Sequence, residues 1–101
     1  MSEKTVTLEK NNNIAVVTLN RPDNANTINL ELVKDLYDAF KECHHDEKIR
    51  AVIFTGNGSM FSGGGDLGSF VEESDNLGPF ITDMTTYFHL AVTLMHRMEK
   101  P

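Results

Sequence analysis

The sequence predicts an α/β fold, and three patterns carry that prediction. Two short segments rich in β-branched residues are separated by a run of asparagines, an amphipathic helical pattern follows, and a short, continuously apolar segment comes next. Strands that alternate with helices in this way are typical of α/β domains. The predicted order is β-β-α-β-α-α, with a glycine-rich loop after the third strand.

The first two strands are expected to form an antiparallel hairpin. Residues 5–9 alternate in polarity as a half-buried strand does, and residues 14–19 are rich in β-branched side chains. The segment 10–13 between them contains three asparagines, which tolerate the left-handed backbone of a tight turn. A polar loop over residues 20–27 then leads to the first helix.

Three helices are predicted. Asn29 is the expected cap of the first, in which Leu32, Val33, Leu36, Tyr37 and Phe40 recur at helical spacing. A short helix is expected from Asp66 to about Ser74, and a long one from Pro79. The apolar stripe expected on the long helix consists of Ile81, Met84, Phe88, Val92, Met95 and Met98.

The third strand suggests that the sheet is incomplete. Residues 51–55 are short and continuously apolar, which predicts a strand buried on both faces. Such a strand needs a neighbour on each side, and the hairpin supplies the only other strands. We therefore expect an oligomer partner or further chain to complete the sheet.

Composition excludes several classes of function. The chain has 101 residues and a formal net charge of −6, which argues against binding to nucleic acid or to an anionic membrane. No apolar run approaches the ~20 residues of a membrane span, and the first residues do not resemble a signal peptide. With a single cysteine, Cys43, the sequence predicts a cytoplasmic protein.

The loop from Gly56 to Gly65 is the strongest candidate for chemistry. It contains five of the seven glycines, and three of them, Gly63 to Gly65, are consecutive. Glycines let a ligand approach backbone N–H groups closely, and a helix start directly after them would add further donors. Such a loop can stabilise a developing negative charge, although a turn that merely needs glycine is an equally good reading of the loop alone.

The same loop imitates two nucleotide-binding motifs. Residues 63–68 fit G-x-G-x-x-G, but the glycines do not follow directly from the strand, and the stretch after them is helical in character rather than a second strand. No Lys-Ser/Thr follows the glycines, so a Walker loop is excluded. We therefore expect no dinucleotide or nucleoside triphosphate at this loop.

Two linked motifs resemble the enoyl-CoA hydratase/isomerase (crotonase) superfamily. Residues 20–28, NRPDNANTI, are similar to its N-R-P-x-x-x-N-A-L segment, and residues 61–67, FSGGGDL, are similar to its F-S/C-A-G-A/G-D-L loop. The resemblance covers essentially the whole chain and implies that residues 1–101 are the N-terminal part of a crotonase-like acyl-CoA-binding domain. Residues 65–101 are similar to the phenylacetate-pathway isomerase branch.

The resemblance implies a site that binds acyl-CoA thioesters and stabilises a thioester enolate. Gly65 corresponds to one of two backbone N–H donors of an oxyanion hole, and Gly63 and Gly64 match positions along the CoA and thioester path. Asp66 and Leu67, at the helix start, are also expected among the residues that bind substrate and CoA, and Asp66 is read as a helix cap rather than a general base. Ala25 matches a position beside the CoA nucleotide.

The family's second oxyanion donor and its proton-transferring acids correspond to positions beyond 101. This chain by itself is therefore expected to lack catalysis, and a non-catalytic acyl-CoA-binding or assembly role is the alternative. Trimers or dimers of trimers are implied, and no cofactor is expected apart from the CoA of the substrate.

The remaining polar and apolar candidates have plainer interpretations. Asn26 is read as a buried turn residue, Cys43 as structural, and the four histidines as surface or interface residues, so no metal site is expected. In the family the long helix borders the acyl group. Phe70, Phe80 and Met84 are therefore candidates, though weaker ones, for contact with substrate.

Overall fold

A computed structural model describes residues 4–101 and contains a three-stranded sheet with helices packed against it. The strands are β1 (Val6–Asn11), β2 (Ile14–Leu19) and β3 (Ala51–Gly56). β1 pairs with β2 antiparallel, and β2 pairs with β3 parallel, so β2 is central. The expected α/β class and the hairpin are confirmed.

The described residues also form three α-helices beside the sheet. They are α1 (Leu30–His45), α2 (Leu67–Glu72) and α3 (Leu77–Arg97), with 3-10 turns at Pro22–Asn24 and Ser74–Asn76. α3 begins earlier than the sequence predicts, because Pro79 lies in its first turn, where a missing N–H costs no helical hydrogen bond.

Two asparagines close the hairpin. Asn12 and Asn13 have φ angles of 51° and 72°, and Asn11 pairs with Ile14 in register. Two consecutive left-handed residues give the turn whose twist matches that of the flanking strands. The predicted turn is therefore confirmed, and it fixes the register of β1 against β2.

The core lies between one face of the sheet and α1. The Asn29 side chain caps α1 by accepting from the backbone N–H of Leu32 at 2.9 Å, as predicted. The buried face of α1 comprises Leu32, Val33, Leu36, Ala39, Phe40 and Cys43. It packs against Ala15, Val17 and Leu19 of β2 and against Ala91 and Met98 from α3 and the residue after it.

The stripe expected along α3 is only partly correct. Met84 and Met98 are buried, but Val92 and Met95 are exposed, and Ala91 lies fully buried instead. The small side chain of Ala91 allows the backbones of α3 and α1 to approach closely, so the packed face turns away from the larger apolar residues.

The prediction that β3 is buried on both faces is wrong for this structure. Ile53 is 51% exposed, and Thr55 on the same face is also exposed. Within residues 4–101, β3 pairs with β2 on one side, and on its outer side Val52 N–H donates to the Pro101 carbonyl at 2.8 Å. One face of the strand packs on α1, and no described helix covers the other.

Candidate functional site

The glycine loop is fastened to the polar loop that precedes α1. Gly63 N–H donates to the Ala25 carbonyl at 2.8 Å, Ile28 N–H donates to the Gly64 carbonyl at 2.7 Å, and Asp66 N–H donates to the Ile28 carbonyl at 2.9 Å. Gly65 and Ile28 thus form an isolated parallel β-bridge. The two segments that resemble family motifs are in direct contact.

Among the three consecutive glycines Gly63 to Gly65, one backbone N–H has no hydrogen-bond acceptor within the described part of the chain. The N–H groups of Gly63 and Asp66 donate to carbonyls, and that of Gly64 donates to Ser62 Oγ at 3.1 Å. Gly65 N–H has no acceptor among the described residues, and the parallel bridge directs it away from Ile28. Gly65 is therefore the donor of the glycine run that remains available to a ligand.

An apolar pocket lies at Gly65. It has a volume of about 160 Å³ and is lined by Gly65 together with Ile28, Met84, Thr85 and Phe88. The glycine loop thus contributes Gly65 to the lining, and α3 contributes most of the apolar wall. Of the weaker candidates for substrate contact, Met84 lies in this pocket.

At each of the three consecutive glycines, a different feature of the structure disfavours a side chain. Gly64 has a φ of +88°, which strains any residue with a side chain. A Cβ at Gly63 would lie 3.2 Å from Thr27 Cγ2, and a Cβ at Gly65 would lie 3.0 Å from Phe70 Cζ. The Phe70 ring contacts Phe80 edge-on at 6.2 Å between centroids. Of these two candidates, Phe70 therefore borders Gly65, Phe80 packs against Phe70, and neither lines the pocket.

The buried Asn26 side chain links the polar loop to the glycine loop through hydrogen bonds. Its side chain is fully buried, accepts from Arg21 N–H at 2.7 Å, and donates to the carbonyls of Asn57 and Met60 at 2.9 and 2.8 Å. Its φ of 52° is left-handed. The interpretation of Asn26 as a buried turn residue is confirmed, and the same side chain ties the polar loop to the start of the glycine loop.

Ala25 lies beside the glycine loop, as the resemblance implies, but its polar groups are occupied. Its carbonyl accepts from Gly63, and its N–H donates to the Pro22 carbonyl at 3.4 Å. Its backbone is left-handed, with a φ of 54°. The Ala25 N–H is therefore not free to donate to a ligand.

Asp66 caps α2, as the sequence favours. One carboxylate oxygen accepts from Ser69 N–H at 3.4 Å, and the other pairs with the Arg21 guanidinium at 3.2 Å. Burial alone would raise the pKa of Asp66, but the hydrogen bond from Ser69 and the guanidinium together hold it below its ordinary value. The helix start is thus occupied by the protein's own carboxylate, not offered to an anion.

Leu67 stands apart from the pocket. Its side chain is 73% exposed at the first position of α2. The structure therefore brings together Ala25 and residues 63–66 but leaves Leu67 facing outward. Sequence reasoning did not single out Ile28 and Thr85 as pocket residues or Arg21 as a partner of Asp66. For Arg21 and Ile28, the available signal was their position inside the family-like segment 20–28.

Other parts of the described chain offer no comparable site. A groove of about 570 Å³ runs between β1 and α1, but it shares no residue with the glycine loop. Burial raises the pKa of the Cys43 thiol. Residues 4–101 contain no cluster of three His, Cys, Asp or Glu side chains able to hold a metal ion. Nor does any helix in this range have the length and apolarity to cross a membrane.

Fold and site together define an α/β protein with an unpaired backbone donor beside a small apolar pocket. The family model for enoyl-CoA hydratase/isomerase matches residues 9–94. The chain belongs to the enoyl-CoA hydratase/isomerase family.

Individual relatives agree with this assignment. A probable peroxisomal enoyl-CoA hydratase 1 of Arabidopsis thaliana is 41% identical over 68 residues, which cover 66% of this chain and 26% of the relative. A 4-chlorobenzoyl coenzyme A dehalogenase of Arthrobacter is 26% identical over 106 residues, which cover 99% of this chain and 37% of the relative. The chain therefore spans well under half the length of these curated relatives.

Solved structures show the same partial coverage. An enoyl-CoA hydratase/carnithine racemase of Magnetospirillum magneticum matches 99% of this chain and 38% of its own, with a TM-score of 0.85 and 30% identity. An enoyl-CoA hydratase/isomerase of Mycobacterium paratuberculosis matches 98% of this chain and 39% of its own, with a TM-score of 0.84 and 27% identity. The crotonase fold expected from the sequence is confirmed.

Proposed function

We propose that the chain forms part of an enoyl-CoA hydratase or isomerase and binds an acyl-CoA thioester at the glycine loop. The observation that carries the proposal is the unpaired N–H of Gly65 beside an apolar pocket. The thioester oxygen would accept from Gly65, and the start of the acyl chain would lie against Met84 and Phe88. CoA would arrive as part of the substrate, so no separate cofactor is required.

The chemical role of Gly65 is to hold negative charge. Abstraction of a proton next to the thioester carbonyl, or addition to the conjugated double bond, moves negative charge onto the carbonyl oxygen. A backbone donor fixed in advance stabilises that oxygen without reorganisation, and removal of such a donor costs on the order of 10²–10³ in rate. Ala25, Gly63 and Gly64 would border the path of the CoA moiety.

Proton transfer is not provided at this pocket. Its described lining contains no acid, histidine or lysine, and Asp66 is engaged by Arg21 and Ser69. General acid–base groups contribute about 10²–10⁴-fold. We therefore propose that residues 4–101 bind and orient the thioester without turning it over, which leaves non-catalytic acyl-CoA binding as the second candidate function.

Binding and turnover test these proposals separately. By calorimetry, a short unsaturated acyl-CoA should bind more tightly than CoA, because only the thioester places an acceptor at Gly65. Gly65→Pro removes the N–H and should abolish that preference, whereas Gly65→Ala keeps the N–H and serves as its control, with its Cβ against Phe70. Equal affinity of the unaltered chain for acyl-CoA and CoA would contradict the proposal.

Turnover is followed by the ultraviolet absorbance of the conjugated enoyl thioester. We expect none from this chain, and sustained loss of absorbance would show that it carries its own proton-transfer groups. The resemblance further implies a homotrimer or hexamer and the phenylacetate-pathway branch, the cysteine content implies a cytoplasmic location, and all of these stay predictions.

A further inference from the structure

Arg21 braces the two segments that hold Gly65. One guanidinium nitrogen donates to the Thr27 carbonyl at 2.6 Å and to Thr27 Oγ1 at 3.2 Å, and the other donates to Asp66 Oδ2 at 3.2 Å. Thr27 directly precedes Ile28, and Asp66 directly follows Gly65. The guanidinium therefore joins residues adjacent to both members of the bridge.

The ion pair between Arg21 and Asp66 is largely shielded from water. The side chains of Arg21 and Asp66 are only 15% and 20% exposed, so salt screens their attraction less than it screens an exposed pair. The two guanidinium nitrogens act on different segments, and the rigid planar fork of arginine fixes the distance and angle between these contacts, which the flexible point charge of a lysine ammonium does not. Arg21 itself is held by its backbone N–H, which donates to the buried Asn26 side chain.

The charge of Arg21 has a second consequence. The Asp66 carboxylate belongs to the residue next to Gly65, and without the guanidinium its negative charge would be uncompensated beside the donor. An uncompensated carboxylate disfavours further negative charge nearby. By compensating the negative charge of the Asp66 carboxylate, Arg21 thus allows Gly65 to stabilise an oxygen that becomes negative.

We infer that Arg21 is a positioning residue for thioester recognition, which it serves by fixing the Gly65 amide and compensating the adjacent carboxylate. This inference rests on the proposed function, since it assigns Arg21 a part in the same site. Arg21 does not line the pocket, and its effect passes through Thr27, Asp66 and the backbone of Gly65. The expected consequence is a loss of preference for acyl-CoA over CoA, not a general loss of binding.

The test compares Arg21→Gln with Arg21→Lys and with Arg50→Gln, a control that removes the same charge from an exposed residue of another segment. Calorimetry gives the affinity ratio of a short unsaturated acyl-CoA to CoA. We expect Arg21→Gln to lower this ratio about fivefold, the worth of one hydrogen bond, with CoA affinity within twofold of the unaltered chain. The affinity ratio of Arg21→Lys should lie between those of Arg21→Gln and the unaltered chain, and Arg50→Gln should leave the ratio unchanged.

A double variant separates charge from geometry. Arg21→Gln combined with Asp66→Asn keeps a side chain able to cap α2 and removes the unpaired carboxylate, so part of the preference should return. An unchanged ratio in Arg21→Gln, with the unaltered chain preferring acyl-CoA, would overturn the inference and leave the proposed function intact.

An NMR measurement independent of ligand completes the test. The backbone 15N order parameter of Gly65 should drop from rigid values near ~0.85 towards ~0.6 in Arg21→Gln, but not in Arg50→Gln. If the unaltered chain shows no preference for acyl-CoA, the proposed function fails, and the order parameter still decides whether Arg21 fixes Gly65. A Gly65 amide that stays as rigid in Arg21→Gln would overturn the positioning role.

Discussion

Replacement of Asn26 by alanine should destabilise the fold severely. Its fully buried side chain makes three hydrogen bonds, one accepted from Arg21 N–H and two donated to the carbonyls of Asn57 and Met60. Each lost bond costs about 1 kcal/mol net, and a buried group left without a partner costs about 1–3 kcal/mol. Asn57 and Met60 lie in an exposed loop where water can replace the amide, so the full penalty applies chiefly at Arg21.

The backbone adds a smaller cost. At a φ of 52°, alanine loses the local advantage that asparagine has in the left-handed region, about 1 kcal/mol. With about 1 kcal/mol for each bond that water replaces and about 1–3 kcal/mol at Arg21, the total is roughly 4–6 kcal/mol, set against the roughly 5–15 kcal/mol that stabilise a typical domain. Most of this loss arises from the buried hydrogen bonds and a minor part from the backbone.

The sequence contains a matched control for the backbone part. Asn12 has nearly the same left-handed φ, 51°, but lies exposed in the hairpin turn. Asn12→Ala should therefore cost only about 1 kcal/mol. Asn26→Asp keeps the acceptor for Arg21 but places a carboxylate against two carbonyls, and should be at least as damaging as Asn26→Ala.

Urea denaturation followed by circular dichroism measures these differences. The free energy of unfolding should fall several-fold more for Asn26→Ala than for Asn12→Ala, with unchanged slopes against denaturant. Equal losses in the two variants would refute the argument, because they would show that the buried amide contributes nothing beyond its backbone conformation.

Two further predictions concern Asp66 and the core. Because the Ser69 hydrogen bond and the Arg21 guanidinium lower the pKa of Asp66 in the folded state, its ionisation stabilises the fold above the unfolded pKa of about 3.9, and this stabilisation is lost as pH falls through the folded pKa. Denaturation of Asp66→Asn between pH 2 and 7 should show a weaker dependence, and identical profiles would disprove the linkage. Phe40→Ala should cost about 3–5 kcal/mol, since Phe40 is 2% exposed and contacts Phe54 edge-on at 5.2 Å; a loss below that of Asn12→Ala would contradict its place in the core.

Local patterns predicted most of the secondary structure. The bounds of β2, the asparagine turn and the Asn29 cap agree with the structure because each depends on bonds between residues close in sequence. The position of α3 against α1 was harder to predict. Ala91 faces α1 where Val92 and Met95 were expected, because close approach of two helices favours a small residue, which a hydrophobic pattern alone does not reveal.

For the site, the sequence determined which loop and which residue types matter. The glycine run, Asp66 as a cap and Asn26 as a turn residue all follow from conformational preferences that belong to single residues. The association of residues 20–28 with residues 61–67 came from a resemblance, since nothing in either segment alone shows that they meet.

The tertiary structure decided which donor stays unpaired and what surrounds it. The N–H groups of Gly63, Gly64 and Asp66 donate hydrogen bonds within the two paired loops, whereas the N–H group of Gly65 has no acceptor among the described residues. It also placed Arg21 across the bridge and left one face of β3 open. These features depend on contacts between segments far apart in sequence, and the hydrogen bonds that remain unmade are fixed only when those segments meet.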